Sequence, residues 1–231
     1  MAKKKAKKTD ELQEVNAALG KTEAFIERNL SIIIAVVLVI IVIALGVFLY
    51  HSKYMAPREI KAQDQIVAGQ NYFAIDSFRL AIEGDDAGYI GFRKIIDEYS
   101  GTKTANLAKA YTGISYFRLG DFQNATAFLD KFKADDEMVA PAVVGMIGNS
   151  YAEMGDKDKA LEFFLKAAGK ADNDVVSPTC LLKAAEIYEL QSNFAKAIET
   201  YTAIKDKYPN SPLASQMEQR IGRATVLSTQ Q

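Results

Sequence analysis

Tyr111-Thr112-Gly113-Ile114-Ser115-Tyr116-Phe117-Arg118-Leu119-Gly120-Asp121-Phe122 decides the reading of this chain, because it recurs. At a spacing of 35 residues stands Ile147-Gly148-Asn149-Ser150-Tyr151-Ala152-Glu153-Met154-Gly155-Asp156, and at a further 37 stands Ala184-Ala185-Glu186-Ile187-Tyr188-Glu189-Leu190-Gln191-Ser192-Asn193-Phe194. Gly113, Gly148 and Ala185 fall in register. So do Tyr116, Tyr151 and Tyr188, the turn residues Gly120, Gly155 and Ser192, and the small residues Ala125, Ala160 and Ala197; Leu129, Phe164 and Tyr201 close the units. A small residue lets a second helix approach the first, and a Tyr three residues on lies over the same face. Gly or Ser followed by Asp or Asn makes a tight turn. The pattern predicts helix–turn–helix units. One such pair cannot bury its own apolar face, so the pairs must stack.

This is the pattern of the tetratricopeptide repeat, whose period is about 34 residues. A degenerate unit precedes the three. Gly88 and Phe92 stand 37 residues before Ala125 and Leu129. They predict a second helix over residues 87–98 and a first helix from Arg58, just after Pro57, to Glu83, carrying Tyr72, Phe73, Phe78 and Leu80. Residues 214–227, with Met217, Ile221 and Leu227, read as a closing helix with a polar outer face. The expected fold class is all-α: an anchor, then an α-solenoid of about four helix pairs plus the closing helix, about nine helices in all, and no strands.

The anchor is Ser31 to Tyr50. It contains no charged residue, and fifteen of its twenty residues are Ile, Val, Leu or Phe. Twenty helical residues span about 30 Å, the depth of a bilayer's hydrocarbon core. Insertion of the fifteen contributes on the order of −6 kcal/mol. The stretch runs into Tyr50-His51-Ser52-Lys53-Tyr54, which offers no small-x-small cleavage site, so the expectation is a retained single span rather than a signal peptide. Lys3, Lys4, Lys5, Lys7, Lys8, Lys21 and Arg28 precede it, against Lys53, Arg58 and Lys61 just after it. That bias predicts a cytoplasmic N-terminus, with the repeats on the far side. The chain then divides into residues 1–30, a basic tail with a short amphipathic helix (Leu12, Val15, Leu19, Ile26); residues 31–50, the transmembrane helix; and residues 51–231, the repeat domain.

Composition excludes several function classes. The 231 residues carry 28 basic and 29 acidic side chains, one His and one Cys. One Cys cannot build a disulfide framework or a Cys-rich metal site. Near-neutral charge argues against a nucleic-acid-binding domain. Cys180, just after Pro178, reads as a small packing residue, and His51 as an interfacial one. Asp85-Asp86 and Asp135-Asp136 read as turn and cap residues. Gly20-Lys21-Thr22 lacks the earlier Gly of a phosphate-binding loop. We therefore expect no enzyme, no catalytic residues, no cofactor and no metal.

The expected binding surface is the inner face of the array, lined by the first helix of each unit. Helical counting places Phe73, Leu80, Leu107, Ile114, Phe117, Asn149, Glu153, Leu182, Glu186 and Glu189 there. The first two units supply apolar groups, the last two polar and acidic ones. An apolar groove of this kind holds a peptide segment without close sequence reading. The alternative is that Phe73, Ile114 and Phe117 only complete the core between units. Of the Lys, Arg and Asn chemistry that would grip an acidic C-terminus, only Asn149 and Arg118 are in place.

The order of Lys-rich tail, single span and repeats resembles the YfgM-like family of bacterial inner-membrane proteins. Thr22-Glu23-Ala24-Phe25-Ile26-Glu27, Tyr89-Ile90-Gly91-Phe92 and Thr102-Lys103-Thr104-Ala105-Asn106-Leu107-Ala108 are similar to stretches of its Bacteroidetes-type members. The resemblance implies a single-pass protein of the bacterial inner membrane with its repeats in the periplasm. It implies an ancillary, non-enzymatic subunit of the SecYEG translocon, working beside a membrane-anchored prolyl isomerase and passing exported client chains to chaperones. A periplasmic scaffold for envelope assembly or cell division, and a cytosol-facing targeting receptor, are the other readings the same architecture serves.

Overall fold

The computed structural model describes residues 28–230. The basic tail, its amphipathic pattern and Gly20-Lys21-Thr22 therefore lie outside the described residues. Two compact units are present, with the boundary between Pro57 and Arg58. In the first, helix α1 covers residues 28–49, and a π-helical stretch follows over Tyr50–Met55. The helix is long and apolar enough to cross a membrane. Its side chains are uncovered: Val39, Ile40 and Val42 are each more than half exposed. Tyr50 stacks on Tyr54 at 5.4 Å, and His51 lies edge-on to Tyr50.

The second unit is built of α2 (Ala56–Ala74), α3 (Phe78–Glu83), α4 (Phe92–Glu98), α5 (Lys103–Arg118), α6 (Phe122–Leu129), α7 (Val139–Glu153), α8 (Lys157–Ala171), α9 (Val176–Leu190), α10 (Phe194–Lys207) and α11 (Ala214–Ser228). No strand occurs among the described residues. The hairpins α5–α6, α7–α8 and α9–α10 are the three units expected from the repeat. Gly113 lies so close to α6 that a methyl group there would stand 2.5 Å from Leu129 Cγ; at Gly148 it would stand 2.8 Å from the Phe164 ring. The absent side chain sets the distance between the helices. Tyr116 stacks on Phe128 and Tyr151 on Phe163, at 5.6 and 5.4 Å.

The degenerate unit departs from expectation. Its first helix stops at Ala74 rather than Glu83, and residues 84–91 are a loop rather than the start of the second helix. Gly88 sits in that loop at φ 114° and takes no part in helix packing. The close-approach residue is Gly69, where a methyl group would meet Tyr89 Oη and Phe92. Tyr72 follows it by three residues, as Tyr116 follows Gly113. Ala81, fully buried, fills the place of Ala125. The spacing from Gly69 to Gly113 is 44 residues, against 37 from Gly148 to Ala185, and the excess is taken up by the loop. That insertion breaks the second helix in two, and Phe92 at the start of α4 supplies the closing side chain. Asp85 organises the loop: its carboxylate accepts from the N–H groups of Ala87 and Tyr89 at 2.8 and 2.9 Å and from the Tyr72 hydroxyl at 2.6 Å.

Four turns share one hydrogen-bond pattern. Ser77, Asp121, Asp156 and Asn193 donate their N–H to the carbonyls of Tyr72, Tyr116, Tyr151 and Tyr188, at 2.8–2.9 Å. The residue before each donor has positive φ: Asp76 58°, Gly120 80°, Gly155 80° and Ser192 59°. This is a left-handed helix C-terminus closed by a six-to-one bond. Asp121, Asp156 and Asn193 then turn their side chains to the N–H three residues on and cap the second helix. Each of these three linkers thus ends one helix and caps the next.

Candidate functional site

Consecutive first helices are joined by one recurring contact. The residue after each close-approach position reaches the residue two before the close-approach position of the next unit. Gln70 donates to the Tyr111 hydroxyl at 3.2 Å, and Ile114 lies with Met146 in one apolar cluster. Lys183 Nζ donates to Asn149 Oδ1 at 2.5 Å, and Arg220 Nη1 to Glu186 Oε1 at 3.0 Å. α11 therefore carries the first-helix register of the units before it. A second contact, Arg223 Nη2 to Glu189 Oε2 at 2.5 Å, reinforces the last step.

These contacts sort the candidate groove residues. Phe73 is half-buried between Phe78 and Tyr111, with ring centroids at 5.4 and 5.0 Å. Ile114 packs against the cluster of Leu129, Val143 and Ile147, and Leu182 against Tyr201 and Met217. Leu80 stands on α3, a second helix, because α2 ends earlier than its hydrophobic pattern predicts. Leu107 remains partly exposed on α5. Glu189 is held by Arg223. Phe117, Asn149, Glu153 and Glu186 come together and line one groove of about 420 Å³, with Met146, Phe164, Lys183 and Leu190. A neighbouring hollow of about 250 Å³ shares Met146, Asn149, Phe164 and Lys183, and is closed by Gly145, Val176 and Cys180.

The groove has an apolar floor, a bridging Lys183–Asn149 pair across its middle and carboxylates at one end. Lys183 also lies 5.6 Å from the centroid of the Phe164 ring. Lys183 and Leu190 were not among the sequence candidates. The signal for Lys183 is its register position, which in every unit faces the preceding first helix. The same position brings in Arg220, so Glu186 at the acidic end is countered by an arginine that the sequence count of basic groups did not include. Arg220 lies 5.8 Å from the centroid of the ring of Tyr201, which is fully buried. Burial raises the pKa of the Tyr201 hydroxyl.

Cys180 is buried beneath this face, 3.0 Å from where a side chain on Gly145 would begin. Burial pushes its thiol up to about 11, the reverse of an activated thiolate. Asp136 caps α7 by accepting from the N–H groups of Met138, Val139 and Ala140. No cluster of three or more His, Cys, Asp or Glu side chains able to hold a metal occurs among the described residues.

Residues 142–169 and residues 179–211 each match a family profile described as tetratricopeptide repeat. They fall on α7–α8 and on α9–α10. No curated protein sequence matches the chain. Among solved structures, the nearly identical TPR-like repeats of a kinesin-light-chain-like protein from Podosopora anserina align at a TM-score of 0.56 and 12% identity, covering 75% of this chain and 89% of that one. A point variant of the same repeats gives the same values. At that identity the likeness carries the fold alone. The chain is a tetratricopeptide-repeat α-solenoid preceded by an apolar helix long enough to span a membrane. Such a fold serves as a scaffold for binding protein partners.

Proposed function

We propose that this protein is a membrane-anchored, non-enzymatic interaction module that works as an accessory subunit at the Sec translocon. Its repeat array stands in the periplasm, contacting translocon partners, among them a membrane-anchored prolyl isomerase, and emerging exported chains. The observation that carries the binding role is the groove between α7 and α9. It has an apolar floor, is open along one side and has the volume of a ligand pocket. Its mixed-charge rim suits a peptide segment held by side-chain anchors rather than by a fixed sequence. The apolar helix and the basic excess before it support an anchored chain with its repeats outside the cytoplasm. The resemblance to the YfgM-like family puts the translocon first among partners.

The test is site-specific crosslinking in intact cells. A photoreactive side chain replaces Phe117 or Leu190, and whatever is captured is identified. Translocon subunits or nascent exported chains at these positions, and not at Lys94 on α4, are the expected result. Capture of division or outer-membrane assembly proteins alone moves the assignment to an envelope scaffold. Protease added to spheroplasts should digest residues 51–231; protection of the repeats would reverse the topology and point to a cytosol-facing receptor.

A further inference from the structure

We propose that a second binding site lies on the opposite side of α7 from the groove, and that it takes an acidic amphipathic helical segment of a partner protein. The site arises from a missing piece of helix. In three units the second helix runs well past its closing side chain: Phe92 to Glu98 in α4, Phe164 to Ala171 in α8, and Tyr201 to Lys207 in α10. The extra turns cover the next first helix. Ile95 packs with Ala108; Ala167 and Ala168 with Cys180 and Ala184; Ile204 with Met217. α6 alone among them ends at its closing residue, Leu129. It unwinds there through three-residue bonds, Lys131 N–H to the Phe128 carbonyl and Phe132 N–H to the Leu129 carbonyl. The chain is then drawn aside by Asn106 on α5, whose side chain both accepts from the Lys133 N–H at 3.1 Å and donates to the Lys133 carbonyl at 2.7 Å.

Val143 and Ile147 on α7 hold the register of Cys180 and Ala184 on α9. Here only the single turn ending at Phe132 lies against them, where the sister units continue for one turn or more. The space beyond Phe132 is a pocket of about 360 Å³ with an apolar lining of Leu129, Phe132, Val143, Val144, Ile147 and Phe163. It shares no residue with the α7–α9 groove. Its rim carries Lys133, Lys166 and Lys170 against Asp130 and Asp135. Lys166 and Lys170 lie on α8, exposed; the first sits 5.4 Å from the centroid of the Phe163 ring, and the second reaches the Ala134 carbonyl at 3.3 Å.

Two observations define the occupant. The sister units fill the equivalent space with one or two turns of helix, presenting apolar side chains three and four residues apart. The excess of ammonium groups on the rim asks that the other face of that helix be acidic. The guest completes the helix that the second unit lacks.

The probe is a fluorescein-labelled peptide, EELAELLAELEE, titrated by anisotropy against the full-length protein in nanodiscs of neutral lipid. Binding is expected. Affinity should fall at least tenfold for the Lys166→Glu, Lys170→Glu double variant, whose changes are on exposed positions, and for a peptide with Lys in place of Glu or Pro at its centre. The groove variant Glu153→Lys should leave binding unchanged, which separates this site from the one proposed above. No binding to the wild-type protein, equal binding of the Lys peptide, or insensitivity to the double variant overturns the proposal. Binding of dodecanoate without binding of the peptide also overturns it, in favour of an acyl ligand. Concentration-dependent self-association abolished by the double variant overturns it in favour of a second copy of this chain.

Discussion

Replacing Gly148 by Ala tests the packing logic of the repeat, because two effects of similar size oppose each other. In a helix interior Ala is favoured over Gly by about 1 kcal/mol. Against that, the new methyl would stand 2.8 Å from two atoms of the Phe164 ring and 3.3 Å from the Ala160 carbonyl oxygen. Ordinary carbon contacts lie near ~3.5–4.0 Å, so the ring would have to retreat by roughly 1 Å. It has little freedom to do so. Phe164 is 2% exposed and is ringed by Ala160, Ala167, Ala168 and Ala184 in the same cluster, and Ala160 contributes backbone rather than a yielding side chain. Overpacking of this kind costs about 1–3 kcal/mol. The net expectation is a loss of about 0–2 kcal/mol, or a fall of up to roughly 8 °C in Tm for a domain of this size. The assay is thermal denaturation of the full-length protein in mild detergent, followed by circular dichroism. Gly169→Ala is the matched control: it lies on the exposed side of α8, with nothing within 4 Å of the new methyl. Only helix propensity acts there, so Gly169→Ala should stabilise. A Gly148→Ala protein that melts as high as Gly169→Ala would refute the claim that the small residue sets the approach of α7 and α8.

Ser192→Gly should stabilise the protein by about 0.5–1 kcal/mol, because Ser192 holds a left-handed φ of 59° where Gly120 and Gly155 stand in the other units; chemical denaturation measures it. Asn193→Ala, which removes the cap on α10, should cost about 1 kcal/mol in the same measurement. Glu59 on α2 caps α5 from a distance: its carboxylate accepts from the Lys103 N–H at 2.7 Å and from the Thr104 hydroxyl at 2.6 Å. Burial pulls its pKa up, but the bonds from Thr104 and Lys103 outweigh it and leave the carboxyl below its ordinary range. A lowered folded pKa contributes stability above the unfolded carboxylate pKa and loses it as pH falls through the folded value. Glu59→Gln should therefore flatten the acid limb of the Tm-against-pH curve. Cys180, whose thiol burial pushes up to about 11, should react with iodoacetamide at pH 8 far more slowly in the native protein than in denaturant; equal rates would show the site to be open.

The repeat was legible because its spacing is imposed by backbone geometry. A residue that permits close approach, a Tyr one turn later and a left-handed linker recur wherever two helices are joined this way. Three units of Gly or Ala, Tyr, and Gly or Ser made the fold readable between Tyr111 and Tyr201. Counting back from Ala125 misplaces the first unit at Gly88, because an insertion lies between them. Gly69, Tyr72 and Asp76 carry the same signature and would have given the right alignment if followed from the first helix. Four of the ten residues that line the groove are ones helical counting places on the inner face. Phe117, Asn149, Glu153 and Glu186 share it because helical counting is enough to put them on one face. Phe73 and Ile114 lie on that face too, but counting cannot say that a neighbouring helix has already taken them up.

The amino-acid sequence by itself determined what is periodic and local: an all-helical chain, an apolar segment long enough to cross a bilayer, hairpins of fixed register and the caps that bound them. Only the tertiary structure decided which side chains were left over. Glu186 reads as a free carboxylate until Arg220, 34 residues away, is seen beside it. The pocket beside α7 exists because α6 ends early and Asn106 holds the chain away. Such outcomes depend on contacts between units, whose partners lie a full repeat apart and whose fit depends on volume and distance rather than on residue type.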